Sequence, residues 1–184
     1  MNTKNTLIAQ RYADALVQIA KISQGGKLTF EKISKDLNLV KEILEQSKDL
    51  QAVLVNPVVS TDDKKEIINK VFSNEIDGLI INFLKLLTDK NKFGIFDDVL
   101  EAYNKSIDSI NNIKKVSVTS AVTMPEDSKN RLKQKLEEKL KANVILDLNI
   151  NKDIIAGLVI KIDDNVIDMS LKHKLEDLSK SIIR

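Results

Sequence analysis

The chain has 184 residues, 42% of them apolar and 30% charged, with a net charge of +2. That supplies the core of one large domain or two small ones, and it excludes a field strong enough to steer nucleic acid or anionic lipid. No cysteine is present, so disulfide and thiol chemistry are excluded. The longest wholly apolar run, Ile154–Ile160, is far short of a membrane span. Met1–Thr6 is polar and runs directly into a helical pattern, so neither a signal nor a transit peptide is expected.

Leu7–Ser23 reads as a first helix. At about 100° per residue, Ile8, Tyr12, Ala15, Ile19 and Ile22 form one apolar stripe. Ala9, Ala13, Leu16 and Ala20 form a second beside it. Such a broad apolar arc exceeds what a surface helix needs for one core-facing side, so this helix is either central or has a second partner. Gln24-Gly25-Gly26 supplies a C-cap and turn. Leu28–Gln46 is a second helix with Ile33, Leu37, Val40 and Leu44 at helical spacing. Ser47–Val55 is a short third helix, stopped by Asn56-Pro57. Ser60-Thr61-Asp62-Asp63 starts a fourth, with acids in its first turn. Asp77–Asp89 is a fifth, with apolar residues nearly all round: Leu79, Ile80, Ile81, Phe83, Leu84, Leu86 and Leu87. After a break at Lys90–Phe93, Ile95–Ile107 is a sixth. Six helices with short connections predict a compact bundle.

Ile110–Ile113 is a polar boundary. The expected domains are 1–110, helical, and 111–184, a small β-α-β-β-α unit. Lys115–Val122 alternates through Val116, Val118 and Ser120 as a strand does. Pro125 opens a helix carrying Leu132, Leu136 and Leu140. Val144, Leu146, Leu148 and Ile150 alternate against Ile145, Asp147 and Asn149, which predicts a strand with one buried face. Ile154–Ile162 is apolar enough for a strand buried on both sides, and Gly157 within it marks a bulge or a close backbone approach. Asp163-Asp164-Asn165 makes a turn and Val166-Ile167 a return strand. From Ser170 a closing helix presents Leu171, Leu175, Leu178 and Ile182.

The residues that chemistry would need are scattered. His173 is the sole histidine and stands among lysines, so no metal-ligand set assembles around it. The pairs Asp62-Asp63, Asp97-Asp98 and Asp163-Asp164 each fall at a helix start or turn, where short acids bond the backbone. Gly26-Lys27 lacks the upstream glycine of a phosphate loop. Ser170 has no neighbouring base and reads as a helix N-cap. Catalytic residues, cofactors and metals are therefore expected to be absent. The basic run Lys129–Lys141 gives a second reading, a helical RNA-binding protein. Glu137 and Glu138 interrupt that run, and no aromatic residues interleave for stacking on bases.

The segment Val144-x-Leu146-x3-Ile150-Asn151-x2-Ile154-x-Ala156-Gly157-Leu158-x-Ile160-Lys161 resembles the C-terminal signature of the delta subunits of bacterial F-type ATP synthases. Their mitochondrial relative is the oligomycin-sensitivity-conferring protein. V-I-D-M-S-L-K-H-K-L (Val166–Leu175) is similar to that family's V-I-D-G-S-V-R-G-R-L. Met169 and His173 stand where glycines are usual, Lys172 and Lys174 replace arginines, and Asp163 takes a place usually held by Gly, Ser, Glu or Asn. R-Y-A-D-A-L (Arg11–Leu16), L-V-N-P (Leu54–Pro57) and the loop at Asn91, which resembles N-G-R-L with Asn91-Lys92-Phe93 in place of G-R-L, extend the likeness over most of the chain.

The resemblance implies a non-catalytic stator subunit of a proton-translocating ATP synthase, linking the alpha/beta head to the peripheral stalk. It implies that the bundle takes the N-terminal helix of the alpha subunit between its first and fifth helices. Ile8, Tyr12, Ala15, Phe83 and Leu86 are the residues expected there. The second domain is expected to meet peripheral-stalk subunit b, with Ala156, Gly157, Asp168 and Ser170 as signature positions. No nucleic acid is an expected partner. The implied address is the cytoplasmic side of a bacterial membrane, held only through the complex.

Overall fold

A computed structural model describes residues 3–22, 29–154, 156–162 and 165–171. The chain divides into two compact units, residues 1–107 and 108–184. The first is helical: α1 (Thr3–Ile22), α2 (Phe30–Gln46), α3 (Lys48–Val55), α4 (Thr61–Phe72), α5 (Gly78–Asp89) and α6 (Phe96–Ile110), which a 3₁₀ turn at Phe93–Ile95 precedes. The helix starts follow from side chains that accept the otherwise unpaired first-turn N–H groups. Thr29 accepts from the Lys32 N–H, Ser47 from Leu50, Ser60 from Asp63 and Asp77 from Leu79. The break after α5 ends on Asn91 at φ 50°. Asn tolerates this left-handed conformation better than most residues other than Gly. Two expectations move here. α1 begins at Thr3 rather than Leu7, and α6 runs to Ile110 rather than Ile107. The turn at Gln24-Gly25-Gly26 lies outside the described residues.

Ala9, Ala13, Leu16, Val17 and Ala20 are the side of α1 that enters the core, against Ile33, Leu37, Ile80, Leu84, Leu87 and Tyr103. The N-terminus of α5 is anchored to α2. Buried Asp36 accepts from the Asp77 N–H at 2.9 Å, and Lys32 Nζ lies 3.3 Å from Asp77 Oδ2. The Tyr103 hydroxyl donates to the Phe30 carbonyl at 3.1 Å.

Burial pushes the Tyr103 phenol up to about 12. Its folded pKa therefore lies above the ordinary value near 10. Stability from this group is whole below about pH 10 and falls as pH rises toward 12, by on the order of 2 kcal/mol. Urea midpoints at pH 9 and pH 11.5 should show this loss, and Tyr103→Phe should reduce it. Lys65, raised by its hydrogen bond to Asp89, titrates in the same sense, so the difference between the two proteins is the reading that isolates Tyr103.

The second unit contains β1 (Ile113–Ser120), α7 (Glu126–Leu140), β2 (Asn143–Ile150), β3 (Leu158–Ile162) and β4 (Asn165–Asp168). The sheet order is β2-β1-β3-β4, with β1 and β2 parallel and the other pairs antiparallel. The parallel pair requires a crossover, and α7 supplies it. Its Leu132, Leu136 and Leu140 pack on Val116, Val118, Val144 and Ile160.

Three strand expectations are corrected. β1 is shifted two residues earlier than Lys115–Val122. Ile154–Ile162 is not one strand: Lys152–Ile154 is a 3₁₀ turn, and pairing begins only at Leu158. Of the alternating β2 residues, Val144 is buried and Leu146 half-buried, but Leu148 and Ile150 are exposed. β2 is an edge strand, and the first turns of α7, Glu126–Arg131, carry no apolar residue that could cover its far end. The turn residues Asp163 and Asp164, and the closing helix beyond Leu171 with His173, lie outside the described residues.

Candidate partner-binding site

The two apolar stripes of α1 have different fates. With Ala9, Ala13, Leu16 and Ala20 committed to the core, the first stripe lies toward the surface: Ile8 and Tyr12 are half-buried and Ala15 is exposed. Helical geometry places these three on one line because they are separated by four and three residues. On α5, Ile80, Ile81, Phe83, Leu84 and Leu87 turn inward, while Leu86 remains 43% exposed.

Tyr12 and Phe83 join the two helices. Their ring centroids are 6.0 Å apart with planes at 69°, an edge-to-face contact. Phe83 is only 6% exposed, so an incoming side chain meets Tyr12 with Phe83 supporting it from beneath. Half-buried Leu79, four residues before Phe83 and seven before Leu86, adds to this side of α5. The spacing of 79, 83 and 86 is the signal that finds it. Gln10 and Asp14, hydrogen-bonded to each other at 2.9 Å, flank the stripe, and Gln10 also donates to Ser106 of α6 at 3.2 Å. The surface offered is thus apolar and aromatic along the middle, small at Ala15, and polar along one edge. Such a surface fits an amphipathic helix.

The four signature residues of the second unit come together, and they do so around backbone. Gly157 has φ +97°, and a Cβ there would lie 2.4 Å from the Met169 carbonyl oxygen and 2.9 Å from Ser170 Cα. The Leu171 N–H donates to the Ala156 carbonyl at 2.8 Å, and the Met169 N–H to the Leu158 carbonyl at 2.9 Å. Asp168 Oδ1 accepts from the Ser170 N–H at 2.8 Å, and Ser170 is buried directly before the helical residue Leu171. These positions form a clasp that closes the strand region on the following segment.

Of the three acid pairs, Asp62-Asp63 and Asp97-Asp98 stand in the first turns of α4 and α6. Ser60 caps α4 by accepting from the Asp63 N–H and donates its hydroxyl to Asp63 Oδ2. On α7, Lys129 is paired with Glu126 at 2.5 Å, and Lys133 lies 3.8 Å from Glu137. No finding supports the RNA-binding reading.

Comparison with known proteins agrees with this architecture. The family model described as ATP synthase delta (OSCP) subunit matches residues 8–182. The ATP synthase subunit delta of Chlorobium phaeobacteroides is 31% identical over 97% of this chain and 97% of its own. The chloroplastic ATP synthase subunit delta of Galdieria sulphuraria is 35% identical, over 94% of this chain and 96% of its own. That of Clostridioides difficile is 31% identical over 96% of both. A chain in the cryo-EM structure of the Toxoplasma gondii mitochondrial ATP synthase hexamer superposes with a TM-score of 0.66, over 96% of this chain and 97% of that one. At 18% identity it shows the shared fold. No helix among the described residues is long and apolar enough to cross a membrane. The chain belongs to the ATP synthase delta (OSCP) subunit family, the non-catalytic stator subunits of F-type ATP synthase.

Proposed function

We propose that residues 1–110 receive the N-terminal helix of the alpha subunit along α1 and α5, and that residues 111–184 meet peripheral-stalk subunit b. The observation that carries the first part is the stripe Ile8-Tyr12-Ala15, which lies at the edge of the core and continues through the Tyr12–Phe83 ring contact to exposed Leu86. The chain then tethers the alpha/beta head on the cytoplasmic side of a bacterial membrane. Without the tether the head would turn with the rotor, and torque would do no conformational work at the nucleotide sites. A durable tether needs nanomolar affinity, about −12 kcal/mol. Apolar and aromatic surface supplies that better than exposed ion pairs, each worth about 1 kcal/mol or less.

The test is titration of a peptide from the N-terminus of alpha into the whole chain and into fragment 1–110. The fragment, whose core is self-contained, should unfold cooperatively by circular dichroism and bind the peptide as the whole chain does. A folded fragment that ignores the peptide would sink the assignment. A fragment without a cooperative transition would sink the division of labour between the two units.

A further inference from the structure

The landmarks Leu54–Pro57 and Asn91–Phe93 contribute nothing to the α1–α5 surface, yet the fold brings them to one cavity. It has a volume of about 220 Å3. Val55, Pro57 and Phe93 make apolar walls, and Lys64, Thr88 and Asn91 supply its polar groups. The Thr88 hydroxyl is already used, donating to the Leu84 carbonyl at 2.9 Å. Lys64 is different. It is 3% exposed, and its ammonium has no hydrogen bond or ion pair among the described residues. The other lysines of α4 are paired, Lys65 with Asp89 at 2.5 Å and Lys70 with Glu66 at 2.7 Å. No side-chain nitrogen or oxygen among the described residues is sealed from solvent without a partner, so Lys64 Nζ meets solvent through the cavity it lines.

A cation that faces a cleft without a counter-charge is available to an anion that enters it, and the pair strengthens as the entering group excludes water. The shape of the cleft says what carries that anion. A second cavity of about 390 Å3 shares Val55, Phe93 and Gly94 and continues along Leu44, Ala52 and Phe96, with Lys48, Gln51 and Asp97 as its polar lining. On the adjoining surface Val55 is 48% and Val58 88% exposed. A small anion would reach Lys64 and leave this apolar rim in water. A polypeptide bearing an acidic residue beside a large apolar one would cover both. We propose that the cleft bounded by α3, α4 and the end of α5 is a second protein-docking site, in which Lys64 receives the carboxylate of an Asp or Glu from another chain of the ATP synthase. The apolar neighbour of that acid lies against Val55, Phe93 and Phe96. The site shares no residue with the α1–α5 stripe and does not depend on what that stripe binds.

The test is zero-length cross-linking of the intact complex with a water-soluble carbodiimide, which condenses an amine with a carboxylate touching it. Mass spectrometry should find the Lys64 peptide joined to an acidic peptide of another subunit, and a Lys64→Gln complex should lack that species. In the isolated chain, Lys64→Met should raise the melting temperature, because it replaces an unpaired ammonium on the cleft wall with an apolar side chain. The same variant should rebind the stripped complex at least about tenfold more weakly, about 1.4 kcal/mol. Lys64 left unlinked in a complex whose other lysines react would overturn the proposal. So would a Lys64→Met chain that melts lower and rebinds normally, since the lysine would then be packing alone. Saturable binding of octanoate to the isolated chain, with no inter-subunit link in the complex, would assign the cleft to a free carboxylic acid instead.

Discussion

Replacing Ala15 with Asp is expected to weaken binding of the alpha N-terminal peptide at least about a hundredfold, roughly 2.7 kcal/mol, with little change in the melting temperature of the free chain. Ala15 is exposed, so the new carboxylate stays hydrated until a partner covers it. Its cost before binding is the helix propensity lost from Ala to Asp, about 0.7 kcal/mol or less. On binding, the same carboxylate would be desolvated on the Tyr12 stripe without a counter-charge, and that penalty is several kcal/mol. Calorimetric titration and thermal melting of Ala15→Asp separate the two effects. Unchanged binding in a folded variant would place the alpha helix elsewhere. A collapse in melting temperature would mean that α1 moves Ala15 into the core.

Gly157→Ala should cost the second unit about 2–5 kcal/mol. Two terms add. A residue with a Cβ in the left-handed region loses about 1–2 kcal/mol, and overpacking costs about 1–3 kcal/mol more. The clash is with backbone, the Met169 carbonyl at 2.4 Å and Ser170 Cα at 2.9 Å, so no flexible side chain can swing away. Relief requires moving the segment that the Leu171–Ala156 and Met169–Leu158 hydrogen bonds hold. Gly78→Ala is the matched control. Nothing lies within 4 Å of a Cβ there, and Ala at that first position of α5 should be neutral or stabilising by up to about 1 kcal/mol. Denaturant unfolding followed by amide exchange in β3 and β4 distinguishes the two. Equal stabilities would show that the clasp around Gly157 yields easily.

The local elements were legible because their causes are local. Ser47, Ser60 and Asp77 announce helix starts, since a short oxygen-bearing side chain can reach the first N–H groups only from the cap position. Val116 and Val118 alternate with Ser117 and Thr119, and a strand puts alternate residues on opposite faces. The glycine at 157 pointed to a close backbone approach by its composition alone, and the family likeness rested on residues at fixed spacing. What covers a surface is a long-range matter, and there the tertiary structure decided. Two apolar stripes on α1 were equally good candidates for the core. Packing against α2, α5 and α6 took the Ala9-Ala13-Leu16 stripe and left Tyr12 half-buried and Ala15 exposed. Leu86 and Leu87 are chemically alike, and a 100° turn of the helix separates exposed from buried. Ile154–Gly157 carries the apolarity of a strand, but the ladder between β1 and β3 reaches only to Leu158. Lys64 stands in a run, Thr61-Asp62-Asp63-Lys64-Lys65, that reads as a solvated helix start. It is buried all the same, on a cavity whose other lining residues, Pro57 and Phe93 among them, only the folded chain brings together.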